Sequence, residues 1–434
     1  MSLPRYPQYK DSGIKWLEDI PAHWTMTRLR YLGHCLDGQR VPLNSEQRAD
    51  KQGNVPYWGA NSIVDYIDDA LFDEELILLG EDGAPFFDRT RPVAFVSYGK
   101  VWPNNHIHVI RPTKGISASF VASALNITDY AQFIDGSTRD KLTQGRMGDI
   151  PVPLPPVEEQ SVIAAFLDRE TRKIDALISE QEKLLALLAE KRQATVSHAV
   201  TRGLNPDAPM MDSGATWLEQ VPAHWQVCPI KHVARIGNGS TPNRDNPDYW
   251  TEKGFPWLNS SVVNLDAVTQ ADQYVTELAL AECHLPIVEP PAVLVGITGQ
   301  GKTRGMASKL MFKATVNQHL AYIKTDDSKL TVPFLLRALE MAYDHLRTES
   351  EGAGSTKGAI TCEQLGRLAI PLPDTKEQLS IAAFLDTETA KLDALKTEAE
   401  RSIGLLKERR SALIAAAVTG KIDVRNAVPQ ELAA

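Results

Sequence analysis

Apolar residues recur at helical spacing along two stretches of this 434-residue chain. In the first, Ile163, Leu167, Ile174, Leu177, Leu184 and Leu188 are separated by threes, fours and sevens; in the second, Ile381, Leu385, Leu392, Leu395, Leu406 and Leu413 follow the same rule. Such a stripe suits a helix lying along another helix. No proline interrupts residues 161–203 or 379–420, so each stretch predicts a helix of about 40 residues, or about 60 Å at 1.5 Å per residue. Globular helices average about 11 to 12 residues. Each predicted helix begins at a Glu-Gln pair, Glu159-Gln160 or Glu377-Gln378, directly after a proline-bounded extended strip. Two long helices with one shared pattern predict a mutual antiparallel pair.

The strips and helix starts are themselves a repeat. Pro153–Leu177 and Pro371–Leu395 agree at 17 of 25 positions without gaps, and a shorter motif, DSGIKWLEDIPAHW at Asp11–Trp24, returns as DSGATWLEQVPAHW at Asp212–Trp225 with 10 of 14 identical. The chain is a tandem duplication. Trp16, Trp24, Trp217, Trp225, His23 and His224 stand beside Pro21 and Pro222, where aromatic residues suit a buried anchor better than a ligand site. Between motif and strip lies a body of short apolar pieces punctuated by glycine and proline: Leu76–Leu79, Val93–Val96 and Ile107–Ile110 in one half, Pro256–Leu258, Ala292–Ile297 and Leu320–Ile323 in the other. These read as strands, each set followed by a helix, expected over Ser117–Phe133 and over Val332 to about Arg347. The fold class is therefore α+β: two globular domains separated by two long antiparallel helices forming a coiled-coil spacer, in a pseudo-two-fold arrangement. The expected boundaries are 1–150 for the first domain, 151–205 for its strip and helix, 206–370 for the second domain, 371–425 for the second strip and helix, and 426–434 for a tail.

Composition narrows the class. With 46 basic against 55 acidic residues the net charge is −9, which argues against a protein that coats nucleic acid non-specifically. A local basic face remains open, because many acidic residues fall in the long helices. No apolar run near the N-terminus resembles a signal peptide and none approaches the roughly 18 residues of a membrane span, so a cytoplasmic protein is expected. Cys35, Cys228, Cys283 and Cys362 lie far apart, with no spacing that suggests zinc or a disulfide framework. No metal site is expected.

One motif points to a different chemistry. Gly296–Thr303, GITGQGKT, satisfies the phosphate-loop pattern GxxxxGK[ST] and follows the apolar run Ala292–Val295. A phosphate loop should open a helix, however, and Arg304–Lys309 carries another glycine and no amphipathic stripe. Dinucleotide, methyltransferase, metalloprotease and serine-hydrolase signatures are absent from the sequence. A non-catalytic chain is expected, with a P-loop NTPase as the alternative.

The repeated blocks Pro153–Leu177 and Pro371–Leu395, the small polar loops Gly136–Lys141 and Gly354–Gly358, and the pieces Asn104-Asn105-His106 and Asn317-Gln318-His319 together resemble the DNA-specificity subunit of type I restriction-modification enzymes. That resemblance covers nearly the whole chain. It implies that each body is a target-recognition domain reading half of a bipartite double-stranded DNA site. It also implies that the helices dock two methyltransferase subunits, which restriction/translocase subunits join. S-adenosylmethionine, ATP and Mg²⁺ would then act through those partners, none being bound by this chain.

Arg and Lys suit guanine edges, and Asn and Gln suit adenine, through paired hydrogen bonds. On that chemistry the candidate DNA-binding residues are Lys100, Asn104, Asn105, His106, Ser137, Thr138, Arg139 and Lys141 in the first body. In the second they are Asn243, Arg244, Lys302, Arg304, Asn317, Gln318, Ser355, Thr356 and Lys357. The hydroxyl residues suit phosphate contacts that set register without reading sequence. Phe166 and Phe384 occupy equivalent places in the two helices and, with Leu185 and Ile403, form a candidate second stripe for a methyltransferase subunit.

Overall fold

The structure is a computed structural model that describes residues 4–135, 140–299, 301–351 and 358–427. It divides into two compact units, Met1–Leu184 with Ala399–Ala434, and Leu185–Glu398. Both divisions fall inside long helices. These span Val157–Arg202, 46 residues, and Thr375–Val418, 44 residues, slightly longer than the sequence spacing predicts because each starts before its Glu-Gln pair. In the second helix Asp374 caps that early start by accepting the backbone N–H groups of Lys376 and Glu377, each at 2.9 Å. Both helices end at a glycine, Gly203 or Gly420, with φ of +71°. That left-handed turn is one a side chain would strain.

Within each unit, half of one long helix packs against half of the other. Asp175 pairs with Arg410 in the first unit and Arg192 with Asp393 in the second. Within the first unit Asp175 meets Arg410 while residues 163–167 share a core with 414–418, and within the second Arg192 meets Asp393 while residues 196–200 share a core with 381–385, as antiparallel segments require. The buried positions are sparser than the sequence stripe. Leu167, Ile174 and Leu188 are buried, as are Leu385, Leu392 and Ala399, but Leu177, Leu184 and Leu395 are exposed. The seam thus takes about one residue per heptad, and the leucines three places further on turn out of it.

In the first body, one antiparallel sheet orders Gly33–Cys35, Ile107–Pro112, Leu76–Gly80 and Ala94–Ser97. A second orders Ile63–Ile67, Gln52–Trp58, Lys100–Pro103 and Phe72–Asp73, with its two central strands parallel. The second body repeats the central strands of this plan and differs at the sheet edges. Ala234–Asn238, Leu320–Thr325, Ala292–Gly296 and Ala307–Leu310 form its first sheet, extended by Ala267–Val268. Trp250–Thr251, Gln273–Val275, Phe255–Leu258 and Thr315–Val316 form the second, again with one parallel pair, Phe255–Leu258 with Thr315–Val316.

The continuous apolar runs are explained by burial on both sheet faces. Ile77 and Leu79 enter one core while Leu76 and Leu78 enter another; Val293 and Val295, against Ala292 and Leu294, do the same in the second body. The long helices complete these cores. Ile163, Phe166 and Leu167 join Ile414, Ala417 and Val418 around Trp24 and Phe120. In the second unit Val196, Ala199 and Val200 join Ile381 and Leu385 around Trp225 and Phe334. Phe166 is therefore a core residue.

Two expected helices are shorter than their apolar content suggests. The first covers Ala118–Leu125 only, because the Asn126 side chain turns aside to accept the backbone N–H groups of Val93 and Ala94. The second is broken at Ala342 into Val332–Met341 and Tyr343–Glu351. The break lets Tyr343 and Arg347 reach the carbonyls of Lys302 and Gly301, both at 2.8 Å. Among the described residues no helix is long and apolar enough to cross a membrane.

Candidate functional site

The repeated Glu-Gln pairs are the clamps on which both bodies are mounted. Glu159 is buried and accepts hydrogen bonds from Tyr6 Oη at 2.5 Å and Trp24 Nε1 at 3.0 Å, with His23 Nε2 at 2.8 Å. Burial and the adjoining carboxylate hold the Tyr6 hydroxyl well above its ordinary ionisation range. Glu377 meets Trp225 Nε1 at 2.9 Å and His224 Nε2 at 3.0 Å. Gln160 accepts the Ser117 N–H and donates to the Pro155 carbonyl, both at 3.0 Å. Gln378 does the same for Thr331 and Pro373. One pair thus fastens the opening motif, the strip and the body's helix to the start of the long helix. Trp24, His23, Trp225 and His224 of the motif are spent on this clamp, while Trp217 Nε1 donates to the Ala369 carbonyl at 3.1 Å.

Each body carries one polar turn of matching geometry. Asn104 N–H reaches the Trp58 carbonyl at 3.0 Å and its Oδ1 accepts the His106 N–H at 2.7 Å; Asn317 reaches Leu258 at 2.9 Å and accepts from His319 at 3.0 Å. The first residue of each triplet is folded inward and the middle one, Asn105 or Gln318, is exposed. The histidine Nδ1 is pinned by the strand end beside it, by Asp82 at 2.6 Å in one body and Thr298 Oγ1 at 2.7 Å in the other. Asn317 is buried, so it shapes the turn and is not presented outward.

In the second body the turn belongs to a longer edge. Gly239 N–H meets the Asn317 carbonyl at 3.3 Å, and Thr241 Oγ1 donates to Gln318 Oε1 at 2.6 Å. The loop carrying Asn243 and Arg244, both exposed, is thereby laid beside Gln318 and His319. Thr241, Thr298 and His319 complete this edge, and the candidate set drawn from sequence omits all three. Their marker in the sequence is faint: Thr298 stands two residues beyond a buried strand and Thr241 three beyond a half-exposed one.

In the first body the turn rests on a charged cluster. Asp37 Oδ2 lies 2.6 Å from His108 Nδ1, whose Nε2 faces the Leu142 carbonyl at 2.8 Å. Glu81 meets Arg40 at 2.7 Å and Lys141 at 3.3 Å. The ligand atoms of Asp37, Glu81 and His108 lie within 4.8 Å of one another, a spacing that would suit a cation. Both ring nitrogens are already committed and two cationic side chains neutralise the carboxylates, so the cluster works as an internal ion network. Burial alone would raise the Asp37 carboxyl, but His108, the Val109 N–H and Arg40 together hold it below its ordinary value. Lys141 thus stands near His106, through the adjoining Glu81 and Asp82. Lys100 does not: it begins the strand that Asn104 follows, about 13 Å away at 3.3 Å per residue.

Several candidates are placed elsewhere. Arg304 is 2% exposed and paired with Glu351 at 2.6 Å, so it is unavailable to a duplex. Lys302 is exposed in the turn between the strands Ala292–Gly296 and Ala307–Leu310. That hairpin corrects the phosphate-loop reading: a strand, not a helix, follows the loop, and the backbone N–H groups of Gly296 and Gly305 are spent on Met306 and Gly296 carbonyls. Phe166 is buried, against a candidate role at a partner surface, whereas Phe384 is exposed and Leu185 and Ile403 are half-buried. Ser137, Thr138, Arg139, Ser355, Thr356 and Lys357 lie outside the described residues.

The family described as type I restriction modification DNA specificity domain matches twice, over residues 21–186 and 222–403. This chain belongs to that family. A putative type I restriction enzyme MjaX specificity subunit of Methanocaldococcus jannaschii is 23% identical over 96% of this chain and 98% of its own length. A putative type I specificity subunit of Haemophilus influenzae is 33% identical, over 38% of this chain and 40% of its own. The fold is shared with a solved structure from work on complex assembly and conformational transition of the type I R-M system: TM-score 0.67, 17% identity, 92% of this chain and 98% of that one. The chain is a specificity subunit, and its part in such a system is DNA recognition rather than catalysis.

Proposed function

We propose that this chain reads a bipartite double-stranded DNA target, one half-site per body, and directs partner subunits to it in the cytoplasm. The observation that carries this reading is the pair of bodies: one strand plan and one polar turn in both, with different side chains along the adjoining edges. Two methyltransferase subunits and the restriction/translocase subunits are the proposed partners. S-adenosylmethionine, ATP and Mg²⁺ act through them.

Each unit also leaves apolar helix residues uncovered, Leu177, Leu184 and Leu405 in one and Leu187, Leu395 and Phe384 in the other. Such residues suit a docking surface for one methyltransferase each. The test is to replace residues 27–149 with the corresponding body of another specificity subunit and map methylated bases in cells that make the chain with its methyltransferase. One half of the motif should change and the other persist. A motif that changes in both halves, or that is never bipartite, would sink the reading.

A further inference from the structure

The loop Ser240–Arg244 of the second body is bolted to two tryptophans. Trp257 Nε1 donates to the Ser240 carbonyl and Trp250 Nε1 to the Asn243 carbonyl, both at 3.1 Å. The two indoles meet edge to face, with centroids 5.1 Å apart. Against them lies Arg244, its guanidinium carbon 4.0 Å from the Trp250 ring centroid and 4.7 Å from that of Trp257. Among the described residues the Arg244 guanidinium makes no hydrogen bond or ion pair, and the side chain is exposed. The two indoles hold the guanidinium between loop and sheet by cation–π contact and leave its donors unspent.

The first body shows what the same position looks like when it is used internally. Tyr57 and Trp257 hold the same register in the parallel strand pair, opposite Trp102 and Thr315. Arg48 sits 5.2 Å from the Tyr57 ring centroid. Its donors, however, go to Asp65 at 3.0 Å and the Leu43 carbonyl at 2.9 Å. Arg48 braces its own loop; Arg244 is braced by its loop and aimed outward.

We infer that Arg244, held by Trp250 and Trp257, reads a guanine in the half-site of the second body through paired donors to O6 and N7. This rests on the DNA-reading function proposed above. Two observations favour a base over a phosphate. The loop lies beside the polar turn through the Thr241–Gln318 hydrogen bond, so it shares the edge that faces a ligand. And the turn is common to both bodies, whereas an unpaired arginine held against aromatic rings is found, among the described residues, in the second body alone. Phosphates are common to every half-site; base edges are what differ.

The experiment uses the full chain with its methyltransferase subunits and compares Arg244→Ala, Arg244→Lys and Arg244→Gln by genome-wide methylation mapping and by binding to duplexes substituted at each position. Lysine keeps the charge and loses the fork; glutamine carries the donor–acceptor pair that suits adenine. The expected result is loss of roughly 10- to 100-fold in preference for guanine at one position of one half-site for both alanine and lysine, a shift toward adenine for glutamine, and an unchanged second half-site. Uniform weakening across sequences, rescued by lysine and accompanied by a salt slope smaller by about 1, would show a phosphate contact and overturn the inference. An unaltered motif would overturn it too. Thermal melting of each variant identifies any that fails by unfolding, and Arg244→Lys, which keeps the aliphatic stem and charge, then decides. If the unsubstituted chain yields no bipartite motif, the parent reading fails instead, independently of Arg244.

Discussion

At the strand position where the first body buries His108, opposite Leu79, the second buries Ala321, opposite Val295. The neighbours change with it. Glu81 is matched by Ile297 and Leu142 by Ile360, yet the backbone bonds that join them persist: Leu142 N–H to Glu81 O at 2.7 Å and Ile360 N–H to Ile297 O at 2.8 Å. A charged network and an apolar patch therefore seat the same strand connection. The backbone hydrogen bonds define the body and the side chains beneath are exchangeable, provided every buried charge has its partner. On the proposed reading the exposed edge is exchangeable for a different reason, because it answers to DNA and not to packing.

The sharpest contrast is at Phe166 and Phe384, identical residues in the repeat with opposite environments. Phe166 sits in the core of its unit, 3% exposed, and Phe384 is 40% exposed. Phe166→Ala should destabilise the first unit by about 3 to 5 kcal/mol, the usual result of emptying an aromatic core site. Phe384→Ala should change the stability of the second by less than about 1 kcal/mol. Denaturant unfolding followed by hydrogen exchange in each unit measures both, and equal losses would erase the contrast.

The clamps give the next effect in size. Glu159 is 7% exposed and gathers Tyr6, His23 and Trp24, whereas Glu377 is 26% exposed and gathers two partners, one of them the largely exposed His224. Glu159→Ala strands the buried donors of Tyr6 and Trp24, at about 1 to 3 kcal/mol for each unsatisfied group, and about 3 kcal/mol in all is expected. Glu377→Ala should cost about 1 to 2 kcal/mol, since it strands only the buried Trp225 donor while His224 is open to water. The same assay ranks them, and a larger loss for Glu377→Ala would reverse the comparison.

What the sequence made legible follows from distance along the chain. The long helices are written locally, as an apolar period without proline, and they form over Val157–Arg202 and Thr375–Val418. Which residues of the stripe meet the partner helix is not local, and Leu177, Leu184 and Leu395 fell outside the seam. The Glu-Gln pairs stand out by repetition, but their role depends on donors such as Trp24, 135 positions away. Arg304 looks like any loop arginine until Glu351, 47 positions on, is found beside it. In Asn317-Gln318-His319 only the turn decides that the first amide faces inward and the second outward. The shared edge itself was half visible: amides and cations can be picked by type, whereas Thr241 and Thr298 acquire meaning only from what they touch.

The smallest expected effect is a difference in acid tolerance, and it tests whether the charged network matters to one body alone. In the first unit Asp37, Asp65, Glu74, Asp88, Glu170 and Asp423 are all held below the ordinary carboxylate range; in the second only Asp326 is so shifted among the described residues. For Asp65 and Glu74 the leading causes are the Tyr66 N–H and the Arg111 guanidinium, and several of these groups are exposed, where screening leaves little stability at stake. Asp37 is the exception, its side chain 9% exposed beside His108 and Arg40. A carboxylate with a depressed pKa in the folded state contributes stability that is fully present above its unfolded value, near 3.9 for Asp, and that drains away as pH falls through the folded value. The first unit should therefore lose stability below about pH 4 while the second, with Ala321 in place of His108, changes less. Hydrogen exchange of the two units between about pH 3 and pH 6 reads this directly. Asp37→Asn should flatten the acid slope of the first unit and leave that of the second untouched, and parallel slopes in the unsubstituted protein would show that the network contributes nothing that its apolar counterpart lacks.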